Sequence, residues 1–174
     1  MENIKIFAGK YYLSSIVKTD NLDNYLSWMK NPLENKYILS AKNSYSIEEL
    51  RTFIDICNKD ESTILLGIYD KIDNNHIGNI KYDNINKLDK SAYLGILIGE
   101  QKYKKIGVAK QTITISIKWL KDNLGLENIL LGVDNGNIPA LKLYQKLGFR
   151  PIANKGKNGL LMNLNINELK SNDC

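Results

Sequence analysis

The feature that most constrains this chain is an apolar run that feeds a basic, glycine-containing loop and then a helix. Residues 93–98 (Tyr-Leu-Gly-Ile-Leu-Ile) form a short apolar run bounded by Gly99 and Glu100, the pattern of a buried strand. The loop at 101–109 reads Gln-Lys-Tyr-Lys-Lys-Ile-Gly-Val-Ala, and from Val108 the chain can run as a helix to about Asn123. The first amides of a helix have no intrahelical acceptor and carry the positive end of its dipole. Such a start is a seat for phosphate. Gly107 removes a Cβ where a ligand would approach, and Lys102, Lys104, Lys105 and Lys110 add mobile positive charge. A strand-to-helix turn with solvated lysines has the same appearance, and the loop fits neither Gly-x4-Gly-Lys-Ser/Thr nor Gly-x-Gly-x-x-Gly.

A second stretch narrows the choice. Asn137-Ile-Pro-Ala-Leu-Lys-Leu-Tyr-Gln-Lys-Leu-Gly-Phe149 fits the pattern Asn-x-x-Ala-x-x-Leu-Tyr-x-x-x-Gly-Phe at every position. Together with Lys104-Lys-Ile-Gly-Val-Ala109 upstream, it resembles the GNAT superfamily of acyl-CoA N-acyltransferases. The family's loop usually reads Gln/Arg-x-x-Gly-x-Gly/Ala; Lys104 keeps a donor at the first position but loses the planar fork. The stretch at 28–38, with Trp28, Asn31, Pro32, Asn35 and Tyr37, resembles the Trp-x-x-Asn/Asp-Pro segment of the RimJ/RimL-like branch. In that branch it helps wall the acceptor pocket; plain core packing of Trp28 and Tyr37 would read the same way.

Composition sets outer bounds. At 174 residues, one domain over 1–167 with a polar tail at 168–174 is expected. No segment reads as a spanning helix or a secretory leader. Cys57 and Cys174 are too few for a disulfide framework, which suggests a reducing cytoplasm. The net charge of +5 is spread along the chain and not drawn into a stripe with interleaved aromatics. Such a charge suits small anionic ligands equally well, and neither a nucleic acid nor a membrane is expected as a partner.

In order, 11–18 reads as a first strand, and Asp20 as the cap of a helix from Asn21 to about Lys30. Ser46-Ile-Glu-Glu49 is a capping box opening a second helix through Asn58. Residues 63–69 and 76–82 form a hairpin, and 84–90 turn into the strand at 91–98. His76, the sole histidine, is expected to be exposed just after the hairpin turn and to have no catalytic role. Residues 112–119 (Thr-Ile-Thr-Ile-Ser-Ile-Lys-Trp) alternate like a strand, yet Ala109, Ile113, Ile117, Leu120 and Leu124 form a longer helical stripe. The stripe and the resemblance both favour a helix, with Thr114 off its apolar faces. A strand at 128–133, a helix capped by Asn137 and ended by Gly148, and a hairpin of 149–153 with 160–165 complete the chain.

The resemblance implies a mixed, mostly antiparallel sheet with helices on both faces and a splayed pair of parallel strands. It implies acetyl-CoA as cosubstrate and no metal. The amides of Lys105, Ile106, Gly107, Val108 and Ala109, with Lys104, would hold the pyrophosphate. The edge at Leu97, Ile98 and Gly99 would pair with the pantetheine arm, with the Ile98 amide as oxyanion donor. Asn137, Ala140 and Tyr144 would line the donor; Tyr144 would protonate the leaving thiolate. Trp28, Asn31 and Tyr93 would face the acceptor, a small-molecule or protein N-terminal amine. No base can be named: Tyr93 stands where many relatives carry Glu, and Glu100 and Asp83 are the remaining candidates. The implied enzyme is an N-acetyltransferase working by direct attack, as a monomer or homodimer; a non-catalytic acyl-CoA or nucleotide sensor is the rival.

Overall fold

The computed structural model describes residues 4–31 and 46–168. Strands β1 (Lys5–Ala8) and β2 (Tyr11–Ser15) precede helices α1 (Asp23–Lys30) and α2 (Ile47–Lys59). A meander of β3 (Ile64–Asp70), β4 (His76–Asn86) and β5 (Ser91–Ile98) leads into α3 (Val108–Leu124). Then come β6 (Asn128–Asp134), α4 (Ile138–Lys146), β7 (Arg150–Lys155) and β8 (Gly159–Asn165). The strands form one sheet in the order β1-β2-β3-β4-β5-β6-β8-β7, antiparallel except for β5 and β6. One face packs on α3 and α4 around Leu13, Leu66, Ile80, Ile113, Ile117 and Met162. The other packs on α1 and α2 around Ile16, Leu22, Trp28, Leu50 and Ile54.

The mixed sheet with helices on both faces is the fold the resemblance implied. The contested stretch 112–119 is helical, as the longer apolar stripe predicted. The Thr112 hydroxyl donates to the Val108 carbonyl (2.9 Å) and the Ser116 hydroxyl to the Thr112 carbonyl (2.6 Å), so both buried hydroxyls are satisfied within the helix. Ser116 also meets the Tyr82 hydroxyl at 2.7 Å beneath the helix. Ile113, Ile117 and Leu120 are fully buried, each worth about 2 kcal/mol of transfer free energy. Thr114, expected off the apolar faces, is instead buried, and its hydroxyl has no hydrogen-bond partner among the described residues. The buried face is therefore wider than the stripe.

Other expectations need correction. Asp20 does not cap α1: the helix begins at Asp23 behind Leu22, which is buried and makes no side-chain cap. The Asp20 carboxylate accepts from the Val17 amide at 2.9 Å, closing a turn ahead of the helix. The strand foreseen over 11–18 stops at Ser15, because Ile16 turns into the α1–α2 layer. An edge strand, β1, precedes it and was not foreseen. β4 runs on to Asn86, past a register shift against β5, so part of the expected turn is strand. The capping box is present: the Ser46 hydroxyl accepts from the Glu49 amide (3.1 Å), and the Ser46 amide donates to the Glu49 carboxylate (2.8 Å). Asn35 and Tyr37 lie outside the described residues.

Candidate active site

The two parallel strands stay together only briefly. β5 pairs with β6 at Ser91, Ala92 and Tyr93, opposite Asn128, Ile129 and Leu130; beyond that rung the two strands run on without pairing to each other, to Ile98 and Asp134. The other edge of β6 is paired with β8 from Asn128 to Asp134, so β5 lines the gap with its free edge. The Ile77 carbonyl accepts both the Gly99 amide (3.0 Å) and the Glu100 amide (3.3 Å), a bulge of two residues against one. By the alternation of an antiparallel ladder, the Ile98 amide then turns away from β4, toward the gap.

The basic loop follows at once. Lys105 (φ 62°) and Gly107 (φ 93°) both hold left-handed backbone, and no side chain caps α3. A Cβ on Gly107 would meet only the Gln111 amide nitrogen, at 3.9 Å, so the helix start is open on its outer side. Val108 is buried and Ala109 half-buried, which fixes the helix end to the core, while Lys105 and Ile106 are exposed. Partial burial lowers the pKa of the Lys104 ammonium. Tyr103, which the sequence reading passed over, anchors the loop. Its ring is buried edge-on against Tyr11 (6.2 Å), and its hydroxyl donates to Asp70 at 2.9 Å. The signal was an aromatic residue inside a run of lysines.

Across the gap stands α4. Asn137 caps it, its side-chain oxygen accepting from the Ala140 amide at 3.3 Å, and Pro139 occupies the first turn, where its missing N–H costs little. Ala140 and Tyr144 are half-buried against the α3 side of the sheet. The Tyr144 ring rests on Phe149 (5.7 Å between centroids), and its hydroxyl makes no hydrogen bond to the described residues. Desolvation pushes its pKa up to about 12.

On the opposite face Trp28 lies buried over Gly99, where a Cβ would overlap the indole. The indole N–H donates to the Glu100 carboxylate at 3.2 Å, tying α1 to the end of β5. His76 is buried, contrary to expectation: it sits edge-on to Trp28 (5.1 Å) and Tyr25 (6.1 Å) and stacks on Tyr69 (4.9 Å). Its Nε2 meets the Asn79 side-chain oxygen at 2.8 Å, and burial lowers its pKa. The hairpin turn at 71–75 is exposed as expected, but Tyr25 and Trp28 of α1 cover His76 just after it. Tyr93 is half-buried on the last β5–β6 rung, and Asn31 is exposed at the C-cap of α1. Asp83 is ion-paired with Lys81 at 2.6 Å, which removes it as a free base. Among the described residues no helix is long and apolar enough to cross a membrane, and no cluster of His, Cys, Asp and Glu could hold a metal ion.

Comparison with known proteins agrees with this geometry. Over 151 residues, 85% of the chain, it is 28% identical to an uncharacterized protein of Methanocaldococcus jannaschii, of which the match covers 30%. A stretch of 63 residues, 36% of the chain, is 33% identical to an N-alpha-acetyltransferase of Sulfurisphaera tokodaii, covering 37% of that protein. The matched regions thus span about a third of these two curated relatives. The solved structure of spermidine N-acetyltransferase from Vibrio cholerae in complex with CoA and spermine shares the fold, with a TM-score of 0.79. That superposition covers 91% of this chain and 97% of that one, at 20% identity. Residues 14–162 match the family described as acetyltransferase (GNAT) domain; the chain belongs to the GNAT acetyltransferases.

Proposed function

We propose that this protein transfers the acetyl group of acetyl-CoA to a primary amine by direct attack in a ternary complex. The observation that carries the reading is the gap between β5 and β6 opening beside the uncapped, glycine-led start of α3. The amides of Lys105, Ile106, Gly107, Val108 and Ala109, with Lys104, hold the pyrophosphate. The free edge at Leu97, Ile98 and Gly99 pairs with the pantetheine arm as an added strand would. Asn137 and Ala140 flank that arm from α4. The Ile98 amide polarises the thioester carbonyl.

The acceptor nitrogen, neutral at the moment of attack, bonds to the carbonyl carbon. The C–S bond then breaks and the thiolate takes the Tyr144 proton, while the proton shed by the nitrogen returns to the Tyr144 phenolate by way of solvent. A phenol raised to about 12 is a weak acid beside an ordinary thiol near 8.5. The desolvation that raises the phenol also raises a buried thiolate's affinity for a proton, so the two stay closer than those values imply. The family's cosubstrate supplies the activated acyl group; the chain supplies binding, polarisation and one proton.

Trp28, Asn31 and Tyr93 face the acceptor, in keeping with the RimJ/RimL-like branch. The similar proteins include an N-alpha-acetyltransferase and a spermidine N-acetyltransferase. A protein N-terminus, a small amine or a nucleotide-linked amino sugar are the acceptor classes proposed, on a single catalytic unit over 1–167. A reducing cytoplasm is the compartment proposed; Cys57 is buried and free among the described residues. The test is thiol release from acetyl-CoA against a panel of such amines. Acetyl-CoA bound tightly by calorimetry, with no thiol released by any amine, would defeat the reading.

A further inference from the structure

Lys155 ends β7, the edge strand, and β8 separates it from β6. Its side chain nevertheless reaches β6, because two glycines clear the path. A Cβ on Gly159, its partner on β8, would meet the Lys155 carbonyl oxygen at 2.5 Å and its Cβ at 3.4 Å. A Cβ on Gly132 of β6 would meet the Lys155 ammonium at 2.9 Å and Cδ at 3.2 Å. Any larger residue at Gly132 would lift the ammonium away. The aliphatic stem thus lies in a trough and sets the charge over β6.

The place where it arrives matters. Gly132 lies just past Leu130, the last β6 residue paired with β5, and so borders the gap. With Ile129, Leu131 and Val133 buried toward α3, the period of two puts Gly132 on the opposite face, the one where Trp28 covers Gly99. Gly95 of β5 shares that face, is exposed, and has nothing within 4 Å of its missing Cβ. The floor beside the gap therefore lacks a side chain at Gly95 and at Gly132, with the Lys155 cation on the β6 side and the Lys81–Asp83 ion pair beyond Gly95 on β4. That cation makes no hydrogen bond or ion pair among the described residues. Asp134, farther along the same face, turns its carboxylate onto the Gly136 amide at 2.7 Å.

We infer that Lys155 selects acceptors carrying an anionic group, a carboxylate or a phosphate, close to the reacting amine. The inference rests on the acyl-transfer reading above. The Lys155 cation, free of an ion pair among the described residues, repels an ammonium beside it and so favours the neutral amine that attack requires. An acceptor bringing its own anion cancels that repulsion on binding, and the charge-assisted hydrogen bond orients its nitrogen. A polyamine, cationic along its length, is the mismatched substrate.

Two acceptor pairs, each differing in one anionic group, test this: the tripeptide amides Glu-Ala-Ala and Gln-Ala-Ala, and glucosamine 6-phosphate with glucosamine. Spermidine is the cationic control. Thiol release, and equilibrium binding of each acceptor to the CoA-loaded protein, are measured for the wild type, Lys155→Met and Lys155→Glu. We expect kcat/KM at least tenfold higher for the anionic member of one pair, and that pair identifies the source of the anion. Lys155→Met keeps the stem and should erase the preference by slowing the anionic acceptor alone. Lys155→Glu should shift preference toward spermidine. Equal kcat/KM within both pairs, or a preference that survives in Lys155→Met, overturns the inference. If no acceptor releases thiol, acyl transfer falls while binding still decides on Lys155. Anion-dependent binding lost in Lys155→Met upholds its role, and charge-blind or absent binding overturns it.

Discussion

Tyr144 offers the sharpest distinction between a residue that packs and one that reacts. Tyr144→Phe leaves the ring on Phe149 and removes one proton. Turnover should fall roughly a hundredfold, the scale of losing a general acid, with the acetyl-CoA dissociation constant changed less than twofold. Steady-state kinetics beside calorimetry check this, and an unchanged turnover number would take Tyr144 out of the mechanism. The sequence made this residue legible because it sits in a motif; His76 was misplaced because nothing local records that α1 folds across it. Burial lowers the His76 pKa, so the neutral ring is the folded form. Its contribution to stability is present above the unfolded value of about 6.5 and is lost as pH falls through the lower folded value. As the sole histidine, its imidazole proton resonance can be followed without assignment, and the titration midpoint should lie below 6.5.

At the scale of elements, α3 shows what a periodic reading can and cannot deliver. The stripe through Ile113, Ile117 and Leu120 identified the helix against a strand-like alternation, since both patterns share the same isoleucines and only the longer one continues. It did not reveal that Thr112, Thr114 and Ser116 are also buried, because a helix sandwiched between a sheet and its neighbours buries more than one stripe. Ile117→Asp should cost about 3–5 kcal/mol through an unpaired buried charge, whereas Lys118→Asp, on the exposed side, should stay within about 0.5 kcal/mol. Thr114→Val replaces an unpartnered hydroxyl with a methyl group and should stabilise by about 1 kcal/mol. Urea unfolding of the three variants measures all of these, and loss of stability in Thr114→Val would mean that its hydroxyl has a partner after all. Asp20 teaches the converse lesson: a good capping residue fails as a signal when a buried neighbour, Leu22, holds the helix start.

For the molecule as a whole, burial of phenols ties stability to pH on the alkaline side. Burial raises the pKa of Tyr144 to about 12 and that of Tyr82, fully buried under α3, further still. Both stay protonated in the fold after an unfolded chain would begin to ionise near 10. Their contribution is therefore intact below about pH 10 and is lost as pH rises through the folded values, at about 1.4 kcal/mol per pH unit for each phenol. Thermal melts should show a plateau into the mildly alkaline range and a steep fall above pH 10; a flat melting temperature to pH 11.5 would contradict the burial. The mostly antiparallel sheet and its one parallel pair were legible through the resemblance, but Lys155 was not, since its meaning depends on a β7–β8 hairpin laying an edge residue across to β6. The short β5–β6 pairing has a further consequence. A sheet that parts after three rungs lacks a closing member along one interior edge, and an arm seated there takes the role of that member. The donor molecule would then be a temporary piece of secondary structure: on saturation with CoA, hydrogen exchange at the Ile96 and Ile98 amides should slow while that of β1, at the far margin, stays unchanged.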